Sequence, residues 1–219
     1  MCGITGAVWS DQKQAIAPEV LSKMTNAISH RGPDDSQIWI DTSQRDAYGN
    51  HIGVALGFRR LSIIDIEGAR QPMSNEDETI QMVFNGEIYN YQTLRRRLEG
   101  RGHQFATDGD GESILHLYED YGADCFNHLN GMFAIGIWDA KRTRFVLARD
   151  RIGQKPLYYA VKNNRLVFGS ELKSLAAVEG ICEEIDPAAI DEFLTYQYVP
   201  HPGTIWKGVR KLAPGHMAI

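Results

Sequence analysis

The 219-residue chain reads as an α+β protein whose strands are mostly antiparallel. Two segments, "MFAIGIWDAKRTRFVLARD" and "KPLYYAVKNNRLVFGSE", alternate apolar and polar residues on both sides of a short polar turn, the pattern of a β-hairpin. The helical patterns are few, short and amphipathic. Many antiparallel strands with few helices argue against a parallel α/β sheet.

In chain order, "CGITGAVW" predicts a short strand containing two glycines. In "APEVLSKMTNAISHRGPD", Pro18 suits a first helical turn, and Val20, Leu21, Met24 and Ile28 recur at helical spacing. That helix should stop near Gly32-Pro33. "SQIWID" and "HIGVALGFRRLSIID" read as strands around the turn-rich tip "TSQRDAYGN". "TIQMVFNGEI" is a further strand running into Asn85-Gly86. A helix follows over about 91–98, closed by Gly100 and Gly102, and another in "ESILHLYEDYG" ends at Gly122. From Ile185 onward one short helix precedes a proline-containing stretch that reads as a lead into something further.

Composition narrows the function classes. A chain this long with 43% hydrophobic residues can bury roughly 70% of its unfolded surface without a disulfide or metal staple. A net charge of −5 offers no footprint for nucleic acid or an anionic membrane. The three cysteines, Cys2, Cys125 and Cys182, are widely spaced and odd in number, which fits a reducing compartment better than a disulfide framework. There is no signal-peptide pattern, and a cysteine at position 2 excludes N-myristoylation. "GMFAIGIW", the longest apolar run, is far short of a bilayer span. A cytoplasmic protein is expected.

Taken singly, the chemistry-bearing residues are weak signals. A lone cysteine is more often a small buried hydrophobe than a nucleophile, and Asn-Gly after a strand is first a hairpin-turn signal. Glu87 and Asp110 would ordinarily be solvated surface. "GDGE" at 109–112 is half of a phosphate-binding glycine pattern without its lysine. The seven histidines show no metal-ligand spacing, and His30, with no obvious partner, suits loop support better than base catalysis.

Together and in order, "MCGITG", "HRGPDD", "RRLSIID", "FNGEIYN", "GDGESILHLYEDYG", "LNGMFAIGIWD", "RDRIGQKPLYY" and "FGSELKSL" resemble the glutaminase domain of asparagine synthetases. "CGITG" with "NGEIYN" marks the class II glutamine amidotransferases, and "RGPDD" with "RLSIID" narrows the resemblance to the asparagine synthetase branch. It implies the N-terminal-nucleophile hydrolase fold, a four-layer αββα sandwich of two antiparallel sheets. It also implies a glutaminase domain over 2–184 and a connecting segment over 185–219, leading toward an ATP-dependent synthetase domain.

The resemblance further implies that Cys2 is the nucleophile, acting once Met1 is removed. The freed α-amine, with a reference pKa of about 7.7–8.0 against about 8.5 for the thiol, then serves as base. Asn85 and Gly86 match the oxyanion hole, and glycine suits a close backbone approach. Arg60 matches the clamp on the glutamine carboxylate, while its neighbour Arg59 would point to the opposite face of a strand. Backbone groups of Leu61, Ser62, Ile63 and Ile64 would line the site, and Glu87 and Asp110 would take the ammonium. Where the family often has Ser-Asp-Thr/Cys-Glu, this chain has Gly109-Asp110-Gly111-Glu112, which predicts a more flexible pocket rim. No metal and no cofactor is expected here. ATP and Mg belong to the synthetase domain, whose "SGGxDS" loop this sequence lacks. Glutamine and that domain are the expected partners, with homodimerisation left open.

Overall fold

The computed structural model describes residues 1–62, 68 and 70–219. Among the described residues, eleven strands build two antiparallel sheets. The first contains β1 (Gly3–Trp9), β2 (Asp35–Arg45), β3 (His51–Arg60), β8 (Tyr158–Lys162), β9 (Arg165–Gly169) and β10 (Val209–Lys211), in the order β10-β8-β9-β1-β3-β2. The second contains β4 (Met73–Ser74), β5 (Ile80–Ile88), β6 (Gly131–Asp139), β7 (Arg144–Arg149) and β11 (Met217–Ala218), in the order β11-β7-β6-β5-β4. The expected hairpins are β6–β7 and β8–β9.

Between the sheets, Ile4, Leu56 and Phe58 from one side meet Val83, Ala134, Trp138 and Leu147 from the other. On the outer face of the first sheet, α1 (Pro18–Ala27) and α4 (Leu172–Leu175) bury Leu21, Met24 and Leu175 against Ala7, Trp9 and Ala55. On the outer face of the second, α2 (Tyr91–Glu99) and α3 (Glu112–Tyr121) pack Leu94, Leu98, Ile114 and Leu117 onto Met82, Phe84 and Ile135. The result is the αββα sandwich. Strand periodicity explains the division: in β5, Met82 and Phe84 face the helices while Val83 faces the other sheet.

Local boundaries differ from expectation in three places. Helix α1 ends at Ala27, and a 3₁₀ turn over Ser29–Arg31 fills the gap to Gly32. A Cβ on Gly32 would lie 2.5 Å from the backbone of both Arg59 and Arg60, so glycine lets this loop press on the end of β3. Strand β3 ends at Arg60, and Leu61 and Ser62 are already irregular. Asn85 and Gly86 are not a turn: they lie inside β5, opposite Ala134 and Phe133 of β6.

The last 35 positions contain α5 (Pro187–Tyr196), whose N-terminus is capped by the Asp186 side chain accepting from the Ala188 N–H. They also supply an edge strand to each sheet, β10 beside β8 and β11 beside β7. Among the described residues no helix is long and apolar enough to cross a membrane.

Candidate active site

The same two-residue period that sorts the core also gathers the polar residues. In β3, Leu56 and Phe58 face the other sheet, so Arg60 follows them inward, 6% exposed. Arg59 takes the opposite face, donating from Nε to the Thr25 carbonyl at 3.2 Å and from a terminal nitrogen to Asn26 Oδ1 on α1. Cys2 is in phase with Ile4, and the pairing of Gly3 with Arg59 brings it beside Arg60. From the second sheet, Asn85 and Glu87 share the inward face of Val83. All four residues line one pocket at this end of the inter-sheet space, with Leu61, Gly86 and Asp110.

The Cys2 thiol sits against one peptide group. The Leu61 N–H donates to Sγ at 3.4 Å, and Sγ donates to the Leu61 carbonyl at 3.6 Å. Burial raises the thiol pKa, opposed by that N–H, by the terminal ammonium and by Arg60. Asn85 is 1% exposed, and neither its Nδ2 nor its Oδ1 has a hydrogen-bond partner. A buried amide left unmade costs about 1–3 kcal/mol. Gly86 is required from outside the pocket as well: a Cβ there would lie 2.1 Å from the Met132 carbonyl of the neighbouring strand.

Asp110 stands ahead of α3 and accepts the Ile88 N–H at 2.7 Å, which ties the rim to the end of β5. Burial lifts its carboxyl pKa, opposed by the N–H groups of Ile88, Asp110 and Gly111. Glu87 is lifted by burial and by the negative charge of Asp110, against the pull of Lys155. At Gly111 the rim has helical backbone angles, φ −62° and ψ −37°.

Of the remaining expected positions, Leu61 lines the pocket, whereas Ser62 turns its N–H to Asp34 Oδ2 at 2.7 Å and is not part of the wall. Ile63 and Ile64 lie outside the described residues. His30 does have a partner, Glu171 Oε1 at 2.8 Å, contributed from far along the chain.

Three residues escaped sequence reasoning. Arg31 donates from Nε to the Cys2 carbonyl at 2.9 Å and from a terminal nitrogen to Glu171 at 3.0 Å, holding the backbone of the thiol residue. Lys155, 5% exposed, lines the pocket; burial and the charge of Arg31 depress its pKa, while Glu87 and Cys2 favour its charged form. Gln71 lines it too, its Oε1 accepting the Phe84 N–H at 2.6 Å. "HRGPDD" and "RDRIGQKPLYY" contain the first two, but nothing in either string says which side chain turns inward.

A thiol, an unsatisfied amide, a buried guanidinium and two carboxylates around one cleft suit acyl chemistry on a zwitterionic amide. Comparison with known proteins points the same way. The family model for the glutamine amidotransferase domain matches residues 1–219. Asparagine synthetase [glutamine-hydrolyzing] 3 of Bacillus subtilis is 41% identical over 99% of this chain and 34% of its own length. A putative asparagine synthetase [glutamine-hydrolyzing] 2 of Methanocaldococcus jannaschii is 37% identical over 97% of this chain and 42% of its own. The chain thus spans about a third of the length of such relatives. Amidase chry2 of Gibberella zeae is 33% identical over the whole chain and 32% of its own length. Among solved structures, the glutamine phosphoribosylpyrophosphate amidotransferase of B. subtilis superposes with a TM-score of 0.63 at 21% identity, over 81% of this chain and 43% of that one, a likeness of fold. Matched end to end by the family model, and at this identity by glutamine-hydrolysing asparagine synthetases, the chain belongs to the class II glutamine amidotransferase domain family.

Proposed function

We propose that the domain hydrolyses glutamine to glutamate and ammonia through a Cys2 thioester, and that the ammonia serves an ATP-dependent amidation of aspartate to asparagine on a synthetase domain of the full-length protein. ATP and Mg act only there; the chemistry here needs no cofactor. The observation that carries the reading is the buried Asn85 amide with no partner, beside the Cys2 thiol. Such a group is costly in the resting protein and useful where an oxyanion forms.

Once Met1 is removed, the Cys2 α-amine takes the thiol proton and the thiolate attacks the side-chain carboxamide carbon of glutamine. Asn85 Nδ2 and the Gly86 N–H take the charge that develops on oxygen. The tetrahedral intermediate collapses as the C–N bond breaks, and the amine returns the proton to the departing ammonia. Water then attacks the thioester, releasing glutamate and the thiol. Arg60 holds the substrate carboxylate, and Glu87 and Asp110 its ammonium. Leu61 keeps the sulfur aimed, and Arg31 fixes the Cys2 carbonyl behind it. A reducing, cytoplasmic setting suits a protein whose three cysteines are all free thiols.

Met1 lines the same pocket as Cys2. Its removal therefore frees the base and clears the mouth in one step. The decisive experiment pairs intact mass with glutamate release on one sample. Met1-free protein should turn over and Met1-retaining protein should not. Cys2→Ala should abolish turnover while Cys125→Ser and Cys182→Ser keep it; both of those thiols are pushed up by burial alone or chiefly, Cys182 to about 11. Robust turnover by fully Met1-retaining protein would overturn the assignment of the base.

The relative named Amidase chry2 favours a second reading, in which the ammonia goes to a carboxylate other than aspartate. Amide formation by the full-length protein with ATP, Mg and a panel of carboxylates separates the two.

A further inference from the structure

Behind the pocket rim, on the helical face of the second sheet, His103, His116 and Glu119 bring one ligand atom each within 4.8 Å of one another. His103 follows α2 and the other two lie on α3, so no sequence spacing announces the group. Glu119 Oε2 is its centre, 2.9 Å from His116 Nδ1 and 3.5 Å from His103 Nδ1. Donor atoms about 2.0–2.2 Å from a tetrahedral zinc stand roughly 3.3 Å apart, which these separations straddle.

His103 and Glu119 are also held from behind. His103 Nε2 meets Asp120 Oδ1 at 3.2 Å. His116, 2% exposed, turns Nε2 toward Glu112 Oε1 at 3.6 Å, too long for a hydrogen bond, so that nitrogen is buried without a partner. The other Glu119 oxygen accepts from Asn75 Nδ2 at 2.9 Å. Nδ1 of both rings faces the same Glu119 oxygen, so the three atoms a metal would use already converge. A divalent cation bound there would replace the proton shared between His116 and Glu119.

We propose that His103, His116 and Glu119 form a divalent-cation site of the zinc class, separate from the Cys2 pocket. Two imidazole nitrogens and one carboxylate oxygen select zinc or cobalt over magnesium or calcium, which take oxygen ligands. The fourth position is left to water on the His103–Glu119 side, where both residues are part-exposed. The ion would staple the α2–α3 connection to α3, and Glu112 already anchors that connection by accepting the N–H groups of Ala106 and Thr107 at 2.7 and 2.8 Å. Asp110 lies at its end.

The test is cobalt(II) titration of the 219-residue chain bearing Cys2→Ala and Cys182→Ala, which removes the two accessible thiols as competing ligands. A single equivalent should give the visible bands of four-coordinate cobalt, and zinc should displace it. His103→Ala should abolish the bands with an unchanged far-ultraviolet circular dichroism spectrum. Asp120→Asn, which touches no metal, should weaken affinity about 10–100-fold. Absence of the bands at millimolar cobalt, or an affinity in His103→Ala and Glu119→Gln equal to that of the parent, would show a proton-bridged ion-pair cluster and overturn the proposal.

Discussion

Two buried polar side chains, Asp150 and Asn85, are treated in opposite ways. Asp150 is fully buried, and its carboxylate accepts four backbone N–H groups, from Phe133, Ile152, Gln154 and Lys155, at 2.9–3.3 Å. Asn85 is buried to the same degree and accepts and donates nothing. The first side chain organises backbone, including the turn that presents Lys155. The second is held in place by its strand and kept waiting. A polar group's burial therefore says little about its role; whether its hydrogen bonds are made says much more.

The comparison breaks most visibly at Asp150. Asp150→Ala strands four backbone N–H groups, those of Phe133 and Lys155 in buried surroundings, and a loss of at least about 3 kcal/mol is expected in denaturant unfolding. Asn85→Ala should leave unfolding within about 1 kcal/mol and lower the glutaminase turnover rate about 10²–10³-fold, with Arg60→Ala raising KM instead. If Asn85→Ala proves as unstable as Asp150→Ala, Asn85 is structural and the contrast fails.

A smaller effect concerns pH. Burial lifts the carboxyl pKa values of both Glu87 and Asp110 in the free protein, and a bound ammonium favours their charged forms. Binding therefore needs them ionised. Affinity should be full at neutral pH and fall as pH drops through the raised values, above the ordinary range of about 3.9–4.3, by up to tenfold per unit and per group. Calorimetry of glutamine with Met1-free Cys2→Ala protein reads this directly, and Asp110→Asn should flatten the profile. A Cys2→Ala profile still level at pH about 4 would remove these carboxylates from the ammonium site.

The smallest effect sharpens the view of the rim. Gly111 has helical angles, and a Cβ there would meet Phe84 and Met73 at 3.4–3.6 Å, ordinary contact. Gly111→Ala should add about 0.4–1 kcal/mol of stability by restricting the unfolded chain.

Much of this was legible in the string because strand parity is local. The alternation that buries Leu56 and Phe58 is the one that turns Arg60 inward and Arg59 outward, and it separates Asn85 and Glu87 from Phe84. What stayed hidden depends on distant partners. His30 reads as unpartnered until Glu171 is placed beside it, and Arg31 acquires its task only when Cys2 arrives. Asn-Gly reads as a turn by local preference, and pairing with β6 overrides that preference. His103 and His116 become neighbours only when α2 and α3 pack together.

Two short edge strands, β10 and β11, come from the final stretch of chain, and each pairs with the next strand of a different sheet, β8 and β7. They act as guards. A chain cut after residue 184 would bare β8 and β7 together, leaving two rows of unpaired peptide groups ready to recruit another molecule. With that stretch in place, each of these edges ends instead on a strand of three or two residues, too short to template another molecule.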